Sequence, residues 1–164
     1  VSQFTHFDEE GASRMVDVSG KEVTTRTARA SGRVRMAAET VQLIQQQRLS
    51  KGDVLEVARL AGIMAAKQTG GLIPLCHPLV LEAVHVAFAF TGETTLAIEA
   101  TVVATGRTGV EMEALTAVAV AALTVYDMCK AVDRWMTIEQ VRLEEKSGGR
   151  SGHLIRAEEH PGGV

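Results

Sequence analysis

The sequence predicts an α+β domain of ferredoxin-like type, an antiparallel four-stranded sheet with helices packed on one side. Three observations carry that expectation. The periodic segments run in the order strand, helix pair, strand, strand, helix, strand. The two middle strands are joined closely enough to form a hairpin. One long apolar helix separates that hairpin from the last strand. At 164 residues the chain can bury a proper core as a single domain.

The first 20 residues show no clear period and read as an arm over the domain surface. Residues 28–36 alternate strictly, with Ala28, Ala30, Gly32, Val34 and Met36 on one face and Arg29, Ser31, Arg33 and Arg35 on the other. That is a strand with one buried face and one basic face, the latter expected to be solvated. Residues 37–48 form a short amphipathic helix. After a break at Leu49-Ser50-Lys51-Gly52, Asp53 and Glu56 have capping-box spacing and open a second helix running to about Thr69. Lys51 therefore stands just before a helix N-terminus, where anions bind readily.

Residues 70–78, GGLIPLCHP, read as a loop bounded by glycines and held by two prolines, apolar enough to be packed. Strands follow at 82–90 and 95–105, joined through Thr91-Gly92-Glu93-Thr94. The first is apolar on both faces: Val84, Val86, Phe88 and Phe90 on one, Ala83, Ala87 and Ala89 on the other, broken only by His85. In one small domain this predicts that another chain covers the second face.

The long helix has Thr108 three residues before Glu111, which predicts a capped start at Gly109 and about 24 residues of helix ending near Asp133. Leu115, Val118, Ala122, Val125, Cys129 and Val132 recur at helical steps as an apolar stripe. Its charges cluster at the ends, Glu111 and Glu113 against Asp127 and Lys130. Glu111 suits the positive end of the helix dipole. Asp127 and Lys130, one turn apart, form either a surface ion pair or a pair facing a common ligand. Glu113 and Asp127 are about 21 Å apart along the axis, too far for one small ligand. If both ends are functional, a symmetry-related chain bringing the opposite end alongside is the favoured arrangement. A last strand near 138–145 leads into Lys146-Ser147-Gly148-Gly149-Arg150-Ser151-Gly152. This segment can wrap an anion with backbone N–H groups and two cations, although it lacks P-loop spacing.

An apolar share of 46% and a charged share of 23% are those of an ordinary globular chain. A net charge of −3 and 4% aromatic residues argue against a generic nucleic-acid binder. The longest uncharged apolar run, residues 114–126, is short for a bilayer, so no membrane association is expected. A polar opening and two cysteines predict a cytoplasmic protein without leader or disulfide framework. Cys76-His77 lacks metal-ligand spacing, so no metal is expected. His77 reads as a ligand contact or as a packed imidazole. Lys51, Lys67, Lys130 and Arg26, taken with the glycine-rich segment, point to a polyanionic ligand such as a triphosphate.

The motifs extend this reading. Met15-Val-Asp17-Val-Ser19, Lys51-Gly-Asp53-Val, Ala58-Arg-Leu-Ala-Gly62, Ala65-Ala-Lys67, Leu72-Ile-Pro-Leu-Cys-His-Pro78, Thr108-Gly-Val-Glu-Met-Glu-Ala-Leu-Thr116, Tyr126-Asp-Met-Cys-Lys-Ala-Val132 and Lys146-Ser-Gly-Gly149 occur in order. Together they resemble the cyclic pyranopterin monophosphate synthase family, the C proteins of molybdenum cofactor biosynthesis, from about Thr5 to Gly152. The resemblance implies a lyase acting on 3′,8-cyclo-7,8-dihydroguanosine triphosphate, with diphosphate as a product and no cofactor consumed. It implies a homohexamer, a trimer of dimers with sites at subunit interfaces, and substrate handed over from an upstream radical enzyme.

By motif, Asp127 is the acid/base, with Lys51 and Lys130 beside it. Leu75, Cys76, His77, Met112 and Glu113 match substrate-contacting positions, with Lys67, Lys146, Arg26 and Glu111 as neighbours. Crowded lysines are expected to lower one another's pKa. Residues 21–152 are then the catalytic domain, between an arm (1–20) and a tail (153–164). A nucleotide-binding regulatory module is the competing class, since the fold hosts both. One acid among several amines at motif positions favours the enzyme.

Overall fold

The computed structural model describes residues 6, 10–47 and 52–157. The chain runs β1 (Thr24–Arg35), α1 (Ala38–Gln45), α2 (Val54–Leu72), β2 (Ala83–Thr91), β3 (Thr95–Gly106), α3 (Glu111–Cys129), β4 (Thr137–Ser147) and β5 (Leu154–Ile155). The sheet order is β2-β3-β1-β4-β5, with every pair antiparallel. The first four strands take the ferredoxin-like order, and the helices pack on one face. A fifth strand of two residues is added at the β4 edge by a segment counted as tail on sequence grounds. It is anchored by the Arg156 N–H on the Glu144 carbonyl, 2.8 Å.

β1 is central because its inward side chains are small or branched: Ala28, Ala30 and Val34 are at most 1% exposed. The outward basic face is not simply solvated. Arg29 pairs with Glu99 of β3 at 2.9 Å and Glu145 of β4 at 3.2 Å, and Ser31 donates to Glu144. Opposite charges on adjacent strands meet at cross-strand distance, which periodicity within one strand cannot reveal. The β1–β4 register shifts between Arg29 and Ala30 and again between Ser31 and Arg33, two bulges, with Gln140 at φ 52 in the second.

Asp53 caps α2, its carboxylate accepting from the N–H groups of Leu55 and Glu56 at 3.0 and 3.1 Å. The helix does not stop at Thr69. It continues through Gly70 and Gly71 to Leu72, so the two glycines form its last turn rather than the start of a loop. At Gly70 the requirement is packing: a Cβ there would lie 3.1 Å from Pro78 Cα.

α3 also departs from expectation at both ends. It begins at Glu111, with Val110 at the N-cap and no side-chain cap, so Thr108 does not close a capping box. The partner that would reciprocate is engaged elsewhere, because the Glu111 carboxylate accepts from Lys146 Nζ at 2.6 Å. It ends at Cys129, leaving Val132 54% exposed and off the stripe. Beyond it, the Asp133 carboxylate accepts from the Ala37 N–H at 2.8 Å and so serves the start of α1. By length and composition α3 could cross a bilayer (19 residues, mean hydropathy 1.4). In this fold its inward residues Ala114, Ala117, Val118, Ala121, Ala122 and Val125 are 0% exposed. The alanines let the helix axis lie close to the sheet and to α2.

β2 is an edge strand. Val86 is buried against the helices, while Ala83, His85 and Ala89 face outward and are exposed. Arg59 of α2 donates to the Val86 carbonyl, and its guanidinium lies 5.3 Å from the centre of the Phe88 ring. That contact occupies one acceptor of an otherwise open edge.

Candidate active site

Two adjoining hollows lie where β1, the β3–α3 turn and the end of β4 converge. The larger, about 790 Å³, is walled by Arg26, Arg107, Lys146 and Arg150, with Lys21 and Thr24 at its side. The smaller, about 340 Å³, is lined by Val16, Val18, Leu75, Cys76, His77 and Met112, with Glu113 among them. Lys21, Thr108, Gly109 and Glu111 border both, so the two form one continuous groove.

The cationic half is built by the β4–β5 turn. Arg26 is 8% exposed and donates from Nε to the Gly106 carbonyl at 3.2 Å. Its guanidinium lies on the backbone of Gly148 and Gly149, at φ 100 and 69. A Cβ at Gly149 would fall on that guanidinium, and one at Gly148 would strike the Thr25 carbonyl. Thr24 Oγ1 is buried without a hydrogen-bond partner among the described residues, a donor available to a bound oxyanion.

The two glycines should therefore fail differently when replaced by alanine. Gly148→Ala meets fixed backbone in left-handed conformation and should lower stability by about 1–3 kcal/mol. Gly149→Ala carries left-handed strain too, but it meets a side chain rather than backbone, so it should melt closer to wild type while losing most phosphate affinity. Thermal unfolding and calorimetry with inorganic diphosphate separate the two. Identical melting and binding for both variants would refute this assignment.

In the smaller hollow, Glu113 is 4% exposed. Burial pushes its carboxyl up from the usual 4.5, its own backbone N–H pulls the other way, and the neighbouring Glu111 charge raises it further. Cys76 is pushed up by burial and then by Glu113. A nucleophilic thiolate needs a shift in the opposite direction. At pH below 4.5 both folded and unfolded chains carry a protonated Glu113, and its favourable contribution is complete. As pH rises, the unfolded chain ionises first, and the contribution is lost until the folded carboxyl ionises at its raised pKa. Wild-type melting temperature should thus fall across that window relative to Glu113→Gln. Parallel melting profiles from pH 4 to 8 would refute the assignment.

Of the residues singled out in the sequence, Leu75, Cys76, His77, Met112, Glu113 and Glu111 meet in the smaller hollow, and Arg26, Lys146 and Glu111 in the larger. Lys67 is exposed on α2 and lines neither. Lys51 lies outside the described residues. Asp127 and Lys130 sit at the opposite end of α3, 2.5 Å apart, with side chains 63% and 52% exposed. Lys130 does not show the lowered pKa expected of crowded lysines. Its hydrogen bond to Asp127, and then the Asp127 charge, hold it above the usual 10.5.

The sequence reading missed Lys21, Thr24 and Arg107 as site residues. Lys21 lies two residues past the Asp17-Val-Ser19 motif, and Arg107 immediately precedes Thr108. Arg150 was visible within the glycine-rich segment. The groove can hold a phosphorylated ligand with its phosphates at the cationic end and a partly apolar ring at the other.

This chain is similar in sequence to known proteins. The MoaC family model matches residues 15–149. A cyclic pyranopterin monophosphate synthase of Desulfitobacterium hafniense is 59% identical over 158 residues, covering 96% of each chain. The cyclic pyranopterin monophosphate synthase 3 of Mycobacterium tuberculosis is 65% identical over 152 residues, covering 93% of this chain and 86% of its own. That of Brevibacillus brevis is 58% identical over 156 residues, covering 95% and 98%.

Proposed function

The chain belongs to the MoaC family, and from that premise we propose that it is a cyclic pyranopterin monophosphate synthase of molybdenum cofactor biosynthesis. The observation that carries this is the groove of two unequal halves. Lysine and arginine surround the larger half, which suits a triphosphate, and the smaller half-apolar one suits a fused ring.

The substrate in this reading is 3′,8-cyclo-7,8-dihydroguanosine triphosphate, delivered by an upstream radical enzyme. The aminal between base and sugar opens and the pterin ring system forms. A sugar hydroxyl then attacks the α-phosphorus; its proton passes to a base, and the bond to the β-phosphate breaks with release of diphosphate. That last step makes the enzyme a phosphorus–oxygen lyase. Asp127, Lys130 and Lys51 are the proton-transfer groups, and the Asp127–Lys130 pair is a carboxylate and an amine already sharing a hydrogen. Glu113, Met112 and His77 hold the ring end.

Those two sets cannot meet on one α3, whose length sets Glu113 and Asp127 about 21 Å apart. The proposed solution is an assembly, a homohexamer made as a trimer of dimers, in which each site takes the α3 N-terminus of one chain and the C-terminus of another. A second copy would also cover the exposed outer face of β2. The expected location is the cytoplasm. Incubation with the cyclised GTP substrate should release diphosphate in step with a pterin that fluoresces after oxidation. Binding without diphosphate release would reduce the chain to a nucleotide-binding module.

A further inference from the structure

Resting on that reading, we propose that Glu111 is a built-in competitor for the substrate's phosphates, holding Lys146 until a phosphate group replaces its carboxylate. Glu111 Oε1 lies 2.6 Å from Lys146 Nζ, and both side chains are about one quarter exposed, at 26% and 25%. The pair joins the first turn of α3 to the end of β4, bordering the cationic cavity.

The carboxylate is folded back across Gly109, where a Cβ would collide with it. It therefore occupies the corner beside the first turn of a helix, where any anion is favoured. Yet it is not a cap, because no side chain caps α3. Its partner is a lysine 35 residues away in sequence. Among the described residues, Lys146 is the one cation of the cavity paired with a carboxylate. Arg26 donates to a carbonyl, and Lys21, Arg107 and Arg150 line the wall with no carboxylate partner.

An exchange of carboxylate for phosphate leaves Lys146 paired throughout. It also weakens the hold on any diphosphate group, whether within the substrate or as the departing product. Glu111 thereby trades affinity for release. It acts through Lys146 and is a positioning residue.

The test is calorimetric binding of inorganic diphosphate to the full chain. Glu111→Gln should bind roughly fivefold more tightly than wild type, the size of a partly exposed ion pair no longer in competition. Glu111→Asp keeps the charge but falls a methylene short of Lys146, so it should also tighten. Glu22 also lines the cavity, so Glu22→Gln removes a carboxylate there without altering the Glu111–Lys146 pair and should change affinity by less. If Glu111→Asp binds no more tightly than wild type, the carboxylate acts only through its charge and the proposal is overturned. Weaker binding by Glu111→Gln overturns it as well, making Glu111 a direct ligand. Failure of the wild-type protein to bind diphosphate at all would instead count against the function proposed for the cavity.

Discussion

Asp127→Asn should give a protein that folds and assembles normally yet releases diphosphate at least roughly a hundredfold more slowly. The side chain is 63% exposed, so its amide isostere disturbs no packing. The substitution removes the charged acceptor for Lys130's proton, at 2.5 Å. It carries a second signature. The hydrogen bond and charge of Asp127 raise the Lys130 pKa, so in the variant that lysine should titrate at lower pH. The alkaline limb of any residual pH–rate profile should shift in the same direction. Lys130→Ala should be similarly slow, and the double variant far less than additive, because the pair acts as a unit. Near wild-type diphosphate release by folded Asp127→Asn would leave an exposed ion pair of little consequence.

Two inactive variants co-expressed should restore one another. Asp127→Asn damages the C-terminal end of α3, and Lys146→Ala damages the cationic cavity at its N-terminal end. If each site takes one end from each of two chains, random mixing in equal amounts puts both intact ends together at about a quarter of the sites. Activity should return to about that fraction, against nearly none for either parent. Purified mixtures that remain as inactive as their parents would place the whole site within one chain and sink the shared-site assembly.

How much of this was legible beforehand depended on whether the deciding contact was local. The alternation of β1, the hairpin and the Asp53 cap are settled within a few residues, and each is present as read. The start of α3 is not local. Thr108 and Glu111 have capping spacing, but Lys146 outcompetes the backbone for Glu111 from another strand. Its end is not local either, since Asp133 is drawn to α1. Gly70 and Gly71 looked like a loop because glycine usually breaks helices. Close contact of Gly70 with Pro78, invisible to a propensity argument, instead favours a residue without a side chain there. The apolar and acidic half of the site came through motif resemblance. Lys21 and Arg107 did not, because a lone cation next to a motif carries no spacing signal of its own. Lys67, Asp127 and Lys130 lie away from the groove in a single chain, so only the proposed assembly would bring them to it.

The alanine-lined underside of α3 has a consequence for mutational drift. Ala117 and Ala121 have no exposed surface, so a larger side chain at either has no void to enter and must lift the helix. That lift costs about 1–3 kcal/mol. It also moves both termini of α3 together, and in the proposed assembly these ends serve two different reaction centres. One substitution far from any ligand would thus be inherited twice at every shared site.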